Sequence, residues 1–280
     1  MAYFGTSGNP QSFYDNGGKA TVDVFKYLSD YGLNAYEYQC GKGVTTGEKT
    51  AALIGEAAAK ENFKLSLHSP YYISLANPTE TAVEKNLKYI MDSVRVASAM
   101  GADRVVVHAG SLNGFTQKEA VQHAINMLQT ALSEMNAQGY LNIALCPELM
   151  GKSAQLGDLE DIVAICASDD RLIPTIDFGH YNARTLGSIK SAADIDNIFE
   201  GLSVLNGGRS LNFHSHFSKI EYTAKGESKH LTFADDIYGP DFIHVASSLK
   251  HHKCEPIFIC ESDGTQASDA QTMKTIWEKA

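Results

Sequence analysis

The sequence predicts an α/β chain folded as one (β/α)8 TIM barrel, a single domain over residues 1–280, and three observations predict it. The length of 280 residues is close to the roughly 250 residues of one such barrel. Short strand-like runs recur about every thirty residues, each followed by a polar turn and a helical pattern. No Pro/Gly-rich linker divides the chain, and no GxGxxG turn follows the first run, where an open dinucleotide-binding sheet would place it.

Taken in order, the strand-like runs are Tyr3–Ser7, Ala35–Cys40, Lys64–His68, Arg104–His108, Asn142–Glu148, Leu172–Asp177, Ser210–His216 and Pro256–Glu261. Between them, apolar residues fall at helical spacing. Val83, Leu87, Ile90, Met91, Val94 and Ala97 mark one face, and Ala120, Ile125, Leu128 and Leu132 mark another. The helix near Thr79 opens on Pro-Thr-Glu and stops at Gly101.

The hydrophobic fraction of 44% and charged fraction of 20% are enough to bury a large core. A net charge of −10 argues against holding nucleic acid by bulk electrostatics, although carboxylates committed to metal would be offset locally by the cations. The five scattered cysteines (Cys40, Cys146, Cys166, Cys254, Cys260) form no CxxC pair and read as buried small hydrophobes. An odd count without a signal peptide suggests a reducing, cytoplasmic compartment. No apolar run approaches the roughly 20 residues of a membrane span.

The chemistry is concentrated at the strand ends, which a barrel collects on one face. The third strand ends LSLHSP with His68, the fourth VVVHAG with His108, and the fifth ALCPEL with Glu148. The sixth ends TIDFGH with Asp177 and His180, the seventh NFHSHFS with His214 and His216, and the eighth FICES with Glu261. Singly, each histidine reads as a hydrogen-bonded core or loop residue and each carboxylate as an ion-pair partner. Together, three buried carboxylates without cations would be very costly. Imidazole with carboxylate suits zinc or manganese, and the lack of cysteine argues against a structural zinc site. The seventh strand leads into the polar excursion FSKIEYTAKGESKHLTFADD. Its Glu227 and His230 form either a further ligand pair above the barrel mouth or part of a solvated charged loop; His180, otherwise without a partner carboxylate, favours the pair.

These residues resemble the endonuclease IV family of abasic-site DNA repair enzymes, within the xylose-isomerase-like barrel group, from LHSPYYISLAN to FICES. The resemblance implies a metal-dependent hydrolase with two or three zinc ions, manganese being a second candidate. It implies cleavage of the phosphodiester 5′ to an abasic deoxyribose, with Glu148 and Glu261 as catalytic carboxylates. By the family's motifs His68, His108, Glu148, Asp177, His180 and Glu261 are metal ligands, Glu148 bridging two ions. In HSHFSK the family's Ser and Lys align if His214 is the ligand, and His216 is the alternative ligand. Glu227 and His230 are the nearest match to the family's Asp-x-His, at a different spacing. Tyr71 and Tyr72 fall at the positions of DNA wedges after the third strand, their other reading being rim aromatics that close the core. Lys42, in QCGKGVTT, stands where the family tends to have arginine, and Lys219, Lys225 and Lys229 are further expected phosphate contacts. The expected partner is DNA containing abasic sites, with no membrane and a monomeric state. The alternative is a sugar isomerase or epimerase of the same barrel group, holding one metal with Glu148, Asp177, His214 or His216, and Glu261. A third class, a noncatalytic metal-binding or interaction protein, leaves the concave ligand set unexplained.

Overall fold

Eight parallel strands close on themselves in the computed structural model, which describes residues 2–280. The chain runs through β1 (Tyr3–Ser7), α1 (Gln11–Asp15), α2 (Val24–Asp30), β2 (Ala35–Gln39), α3 (Glu48–Lys60), β3 (Lys64–His68), α4 (Glu80–Met100) and β4 (Arg104–His108). It continues with α5 (Gln117–Ala137), β5 (Ala144–Glu148), α6 (Leu159–Cys166), β6 (Thr175–Asp177), α7 (Phe178–Arg184), α8 (Ala192–Leu202) and β7 (His214–Phe217). A hairpin follows, β8 (Ile220–Thr223) and β9 (Gly226–His230), then α9 (Phe242–His251), β10 (Ile257–Cys260) and α10 (Gln266–Lys279). The barrel takes β1 to β7 in sequence and closes through β10, which pairs with both β7 and β1. Fully buried Leu28, Ile54, Ile90, Leu128, Ile162 and Phe258 lie in one continuous core, the usual burial of a parallel sheet covered by helices.

Helix ends follow local chemistry. Helix α4 stops where Gly101 adopts a left-handed φ of 77°, a conformation glycine takes without penalty. Helices α5 and α6 begin with capping boxes, Thr116 with Glu119 and Asp158 with Asp161. All five cysteines are free and buried. Among the described residues no helix is long and apolar enough to cross a membrane.

Several strands are shorter than their apolar runs predict. The sixth begins at Thr175 because Pro174 has no N–H to give to a ladder; Leu172 makes only an isolated bridge to Leu145. The seventh begins at His214 because residues 208–212 form a turn, with the Leu211 and Asn212 amides both donating to the Gly208 carbonyl.

The polar excursion after β7 is an antiparallel hairpin, and an irregularity in it matters. Tyr222 pairs with Glu227, whereas Glu221 pairs with Lys229 and Ile220 with His230. Ser228 is therefore an extra residue, a β-bulge. In a regular strand residues 227 and 230 would point to opposite faces. The bulge returns both to the face of Tyr222 and Ile220, so the pair points to one side.

The hairpin is fastened close to the loop after β5. The Glu227 amide donates to the Gly151 carbonyl at 3.1 Å, and the Ser153 amide donates to the Lys225 carbonyl at 3.3 Å. Gly226 permits this approach: its φ is 90°, and a Cβ there would lie 2.2 Å from the Gly151 oxygen. Gly226→Ala should destabilise the protein by about 1–3 kcal/mol, from an unfavourable φ and a backbone clash. Chemical denaturation measures this, and a variant as stable as the parent would mean the hairpin is not held through this contact.

Candidate metal centre

Every barrel strand from β3 onward delivers a polar side chain to the mouth, and the local backbone sets how. Asp177 ends β6 and is at once the N-cap of α7, its Oδ1 accepting the His180 amide at 2.7 Å. This cap turns the Asp-x-x-His spacing into a facing pair, with His180 Nδ1 3.2 Å from Asp177 Oδ2. His68 and His108 end neighbouring strands and meet edge to face at 4.8 Å between ring centroids.

Glu148 stands at the centre and is 1% exposed. Its Oε2 lies 3.1 Å from His68 Nε2 and 3.1 Å from His108 Nε2, and its Oε1 lies 3.1 Å from His216 Nδ1. His180 Nδ1 is 3.5 Å from the same Oε1. Glu261 Oε2 is 3.6 Å from His216 Nδ1, and Ser7 Oγ donates to Glu261 Oε1 at 3.1 Å. On the far side, Glu227 Oε2 lies 3.5 Å from His180 Nε2, and the rings of His180 and His230 are 5.5 Å apart. The bulged hairpin thus brings Glu227 and His230 over the mouth, beside His180.

His214 and His216 alternate on β7, so both face the barrel axis. Their depths differ. His216 pairs in register with Asp177 and reaches Glu148; His214 pairs with Thr175, one layer lower, and donates from Nε2 to Glu37 Oε2 at 2.8 Å. Glu37, fully buried in β2, is a residue that reading the strand ends overlooks. Its signal is nevertheless present in AYEYQ: a carboxylate at the inward position of a barrel strand needs partners. Arg184 is a second residue that the strand ends do not reveal. Its guanidinium donates to the carbonyls of Met150 (3.4 Å), Lys152 (2.6 Å) and Gln155 (3.2 Å), holding the loop after β5 against the mouth.

Four groups have donor atoms within 4.8 Å of one another, as a metal ion would need: Glu37, His214 and His216; His68, Glu148 and His216; His180, Glu227 and His230; and Glu148, Asp177, His216 and Glu261. The contacts behind these side chains fit the same use. The Nδ1 atoms of His68 and His180 face the carbonyls of Ser69 (2.8 Å) and Leu149 (3.1 Å), and His230 Nδ1 faces Ser218 Oγ at 2.8 Å. Protons held on those nitrogens leave each Nε2 lone pair free, the usual tautomer control of a ligand. Asp177 Oδ2 is fully buried without a hydrogen bond, an orphan that a cation would satisfy.

Without cations from outside, the site neutralises itself with imidazolium. Burial alone would lower the pKa of His68 and His180, but Glu148 raises His68 to about 9, and Asp177, Glu148 and Glu227 raise His180 to about 10. Burial opposes the ionisation of Glu148 as well, yet His108 and His216 hold it well below the usual carboxylate range. Burial pushes Asp177 upward despite His180, with Glu261 and Glu148 adding to the effect. His214, by contrast, is pushed down to about 4 by burial in spite of Glu37, and is neutral.

The cavity at the mouth is about 340 Å3, and Gln39, Tyr71, Met150, Lys152 and Gln155 line it beside the ligand-type residues. A larger cavity of about 550 Å3 opens at the other end of the barrel, beside Phe4, Lys250 and Trp277, but no imidazole lines it. Tyr71 and Tyr72 lie side by side, 45% and 49% exposed, with ring centroids 4.8 Å apart. Such exposure excludes the reading that they close the core. The Tyr71 amide donates to the Gly41 carbonyl at 3.3 Å, which joins the loop of Lys42 to that of the tyrosines; Lys42 itself is exposed. Lys219, expected at the phosphate backbone, is instead committed within the chain, to the Asp241 carboxylate at 3.2 Å and the Asp235 carbonyl at 2.5 Å.

A family model described as the xylose isomerase-like TIM barrel matches residues 25–278. An uncharacterized protein of Methanocaldococcus jannaschii is 30% identical over 263 residues, 94% of this chain and 92% of that protein. A probable endonuclease 4 of Mycoplasmoides gallisepticum is 26% identical over 145 residues, 48% of this chain and 46% of that protein, so that likeness spans about half of each. Among solved structures, a D-tagatose 3-epimerase-like protein superposes with a TM-score of 0.69 at 21% identity, over 92% of this chain and 94% of that one. Endonuclease IV from Thermus thermophilus superposes with a TM-score of 0.65 at 15% identity, over 93% of this chain and 95% of that one. At these identities both show the barrel alone.

The raised histidine pKa values carry a stability consequence. An unfolded histidine titrates near 6.5, so the contribution of His68 and His180 is complete below that pH and is lost as pH rises through about 9 and 10. With chelator present, the melting temperature should fall steadily from about pH 6.5 to pH 10. A flat profile across that window would contradict the imidazolium–carboxylate arrangement.

Proposed function

The chain belongs to the xylose isomerase-like TIM barrel family, and we propose that within it the protein is a zinc-dependent phosphodiesterase that cuts DNA 5′ to an abasic site. The observation that carries this reading is the position of Glu148. Its Oε2 faces His68 and His108, its Oε1 faces His216 and His180, and His180 leads on to Glu227 and His230. That arrangement suits two or three ions sharing one carboxylate. A single-ion sugar epimerase would be served by Glu148, Asp177, His216 and Glu261 alone. It would leave His68, His108, His180, Glu227 and His230 converging without a task.

Bound zinc supplies charge neutralisation at the phosphate oxygens and an acidified water. The chain's own residues do the rest. Glu148 holds the neighbouring sites together, and Asp177 with His180 binds on the α7 side. Glu261, steadied by Ser7, faces the cavity and orients the attacking water. No serine or cysteine nucleophile is needed; burial pushes the thiols of Cys146 and Cys260 up to about 12.

Tyr71 and Tyr72 enter the duplex where base stacking is already lost, and the small cavity accepts the extruded, baseless sugar. Lys42, Lys152 and Lys225, all exposed, contact the flanking phosphates. The curated relatives named as probable endonuclease 4 support the same choice.

Zinc-loaded protein should nick a duplex bearing one abasic site on its 5′ side, with binding that weakens as salt rises. Tyr71→Ala and Tyr72→Ala should each slow cleavage by roughly 5- to 160-fold, as expected when about 1–3 kcal/mol of stacking is lost, with metal content unchanged. Interconversion of a ketose without any nicking, across a range of salt and divalent ions, would assign the site to an epimerase instead.

A further inference from the structure

We propose that Glu37, backed by His214 and Ser66, is a positioning residue that turns the His216 ring so that Nδ1 faces the metal cavity. The inference rests on the metal-centre reading above and adds to it a residue that lines neither the cavity nor the rim.

Glu37 sits in the middle of β2 at 0% exposure, one layer beneath the mouth. A carboxylate so placed costs several kcal/mol unless its oxygens are occupied. They are. Oε2 accepts from His214 Nε2 at 2.8 Å and from Ser66 Oγ at 2.9 Å. Oε1 accepts from Gln39 Nε2 at 3.1 Å and lies 3.0 Å from His216 Nε2, a close ionic contact that is not aligned as a hydrogen bond.

The reason for a carboxylate here is topological. His68 and His180 rest their far nitrogens on backbone carbonyls of loop residues, Ser69 and Leu149. His216 points along the inside of a closed barrel, where strand carbonyls are consumed in the ladders on either side. A counter-charge for its Nε2 must therefore come from a side chain, and Glu37 Oε1, 3.0 Å away, is the carboxylate within reach. His214 completes the device. Its Nδ1 has no hydrogen-bond partner, so its proton belongs on Nε2, donated to Glu37. That makes His214 a clamp on Glu37 and leaves His216 as the ligand of the pair. The result would be a carboxylate–histidine–metal arrangement in which the ionic contact of Glu37 with Nε2 orients the ring and favours a proton on that nitrogen.

The test measures zinc binding to purified, metal-free protein by competition with a chromophoric chelator, together with the absorption spectrum of the cobalt-substituted form. Glu37→Gln keeps the shape but removes the charge. It should weaken one of the bound ions by roughly 10- to 100-fold and shift the cobalt spectrum, while the other ions stay bound.

A double-mutant cycle with His216→Ala separates positioning from a merely structural role. If Glu37 acts through His216, adding Glu37→Gln to His216→Ala should cost no further affinity. Unchanged affinity and spectrum in Glu37→Gln, or full additivity with His216→Ala, would overturn the inference while leaving the metal centre intact. Failure of the parent protein to bind zinc would remove the metal reading and this inference with it. If Glu37→Gln does not fold, Ser66→Ala removes one donor from the same carboxylate. It should produce a smaller loss, a few-fold at the same site; no loss would again overturn the inference.

Discussion

The barrel mouth is governed by the burial of carboxylate charge. Glu37, Glu148 and Asp177 are at most 1% exposed, and Glu261 stands beside them. Such charges are tolerated inside a protein only when opposite charge and hydrogen bonds surround them. Here the surrounding groups are imidazoles, each of which can offer a proton or a lone pair according to what else is present. The same architecture is balanced by protons on its imidazoles, and bound cations would balance it equally.

Other features of the fold follow from satisfying that charge from all sides. The strands supply the floor and walls of the site. The cap of α7 supplies His180 directly above Asp177. The fourth side is closed by the β8–β9 hairpin, which reaches the mouth because Gly226 lets its backbone lie against Gly151 and because the bulge at Ser228 turns Glu227 and His230 to one face. Arg184, on the helix that carries His180, holds the loop against which the hairpin rests. The placement of His180 and that of the loop are in this way fastened to the same short helix.

Much of this is legible in one dimension, for a physical reason. A parallel barrel sends the C-terminal end of each strand to one face, so reading strand ends in His68, His108, Glu148, Asp177, His216 and Glu261 amounts to reading a surface. What stays hidden depends on depth and on register. His214 and His216 share a face by alternation, and only pairing with Thr175 or Asp177 tells them apart. Glu37 lies below the strand ends and contributes from the layer beneath. The Glu227–His230 pair looks wrongly spaced because a bulge, which sequence periodicity does not register, corrects it. Pro174 shortens a strand that hydropathy alone extends.

Sharing of Glu148 between metal ions would distinguish a multinuclear phosphodiesterase from a single-ion epimerase on the same barrel. The most direct measurement is anomalous diffraction at the zinc edge from crystals of the protein purified without chelator and supplied with zinc. At least two peaks are expected, one on the His68–His108 side of Glu148 and one on the Asp177–His216–Glu261 side, with the His180–Glu227–His230 group as the place for a third. A single peak bounded by Glu148, Asp177, His216 and Glu261, or none, would contradict shared coordination.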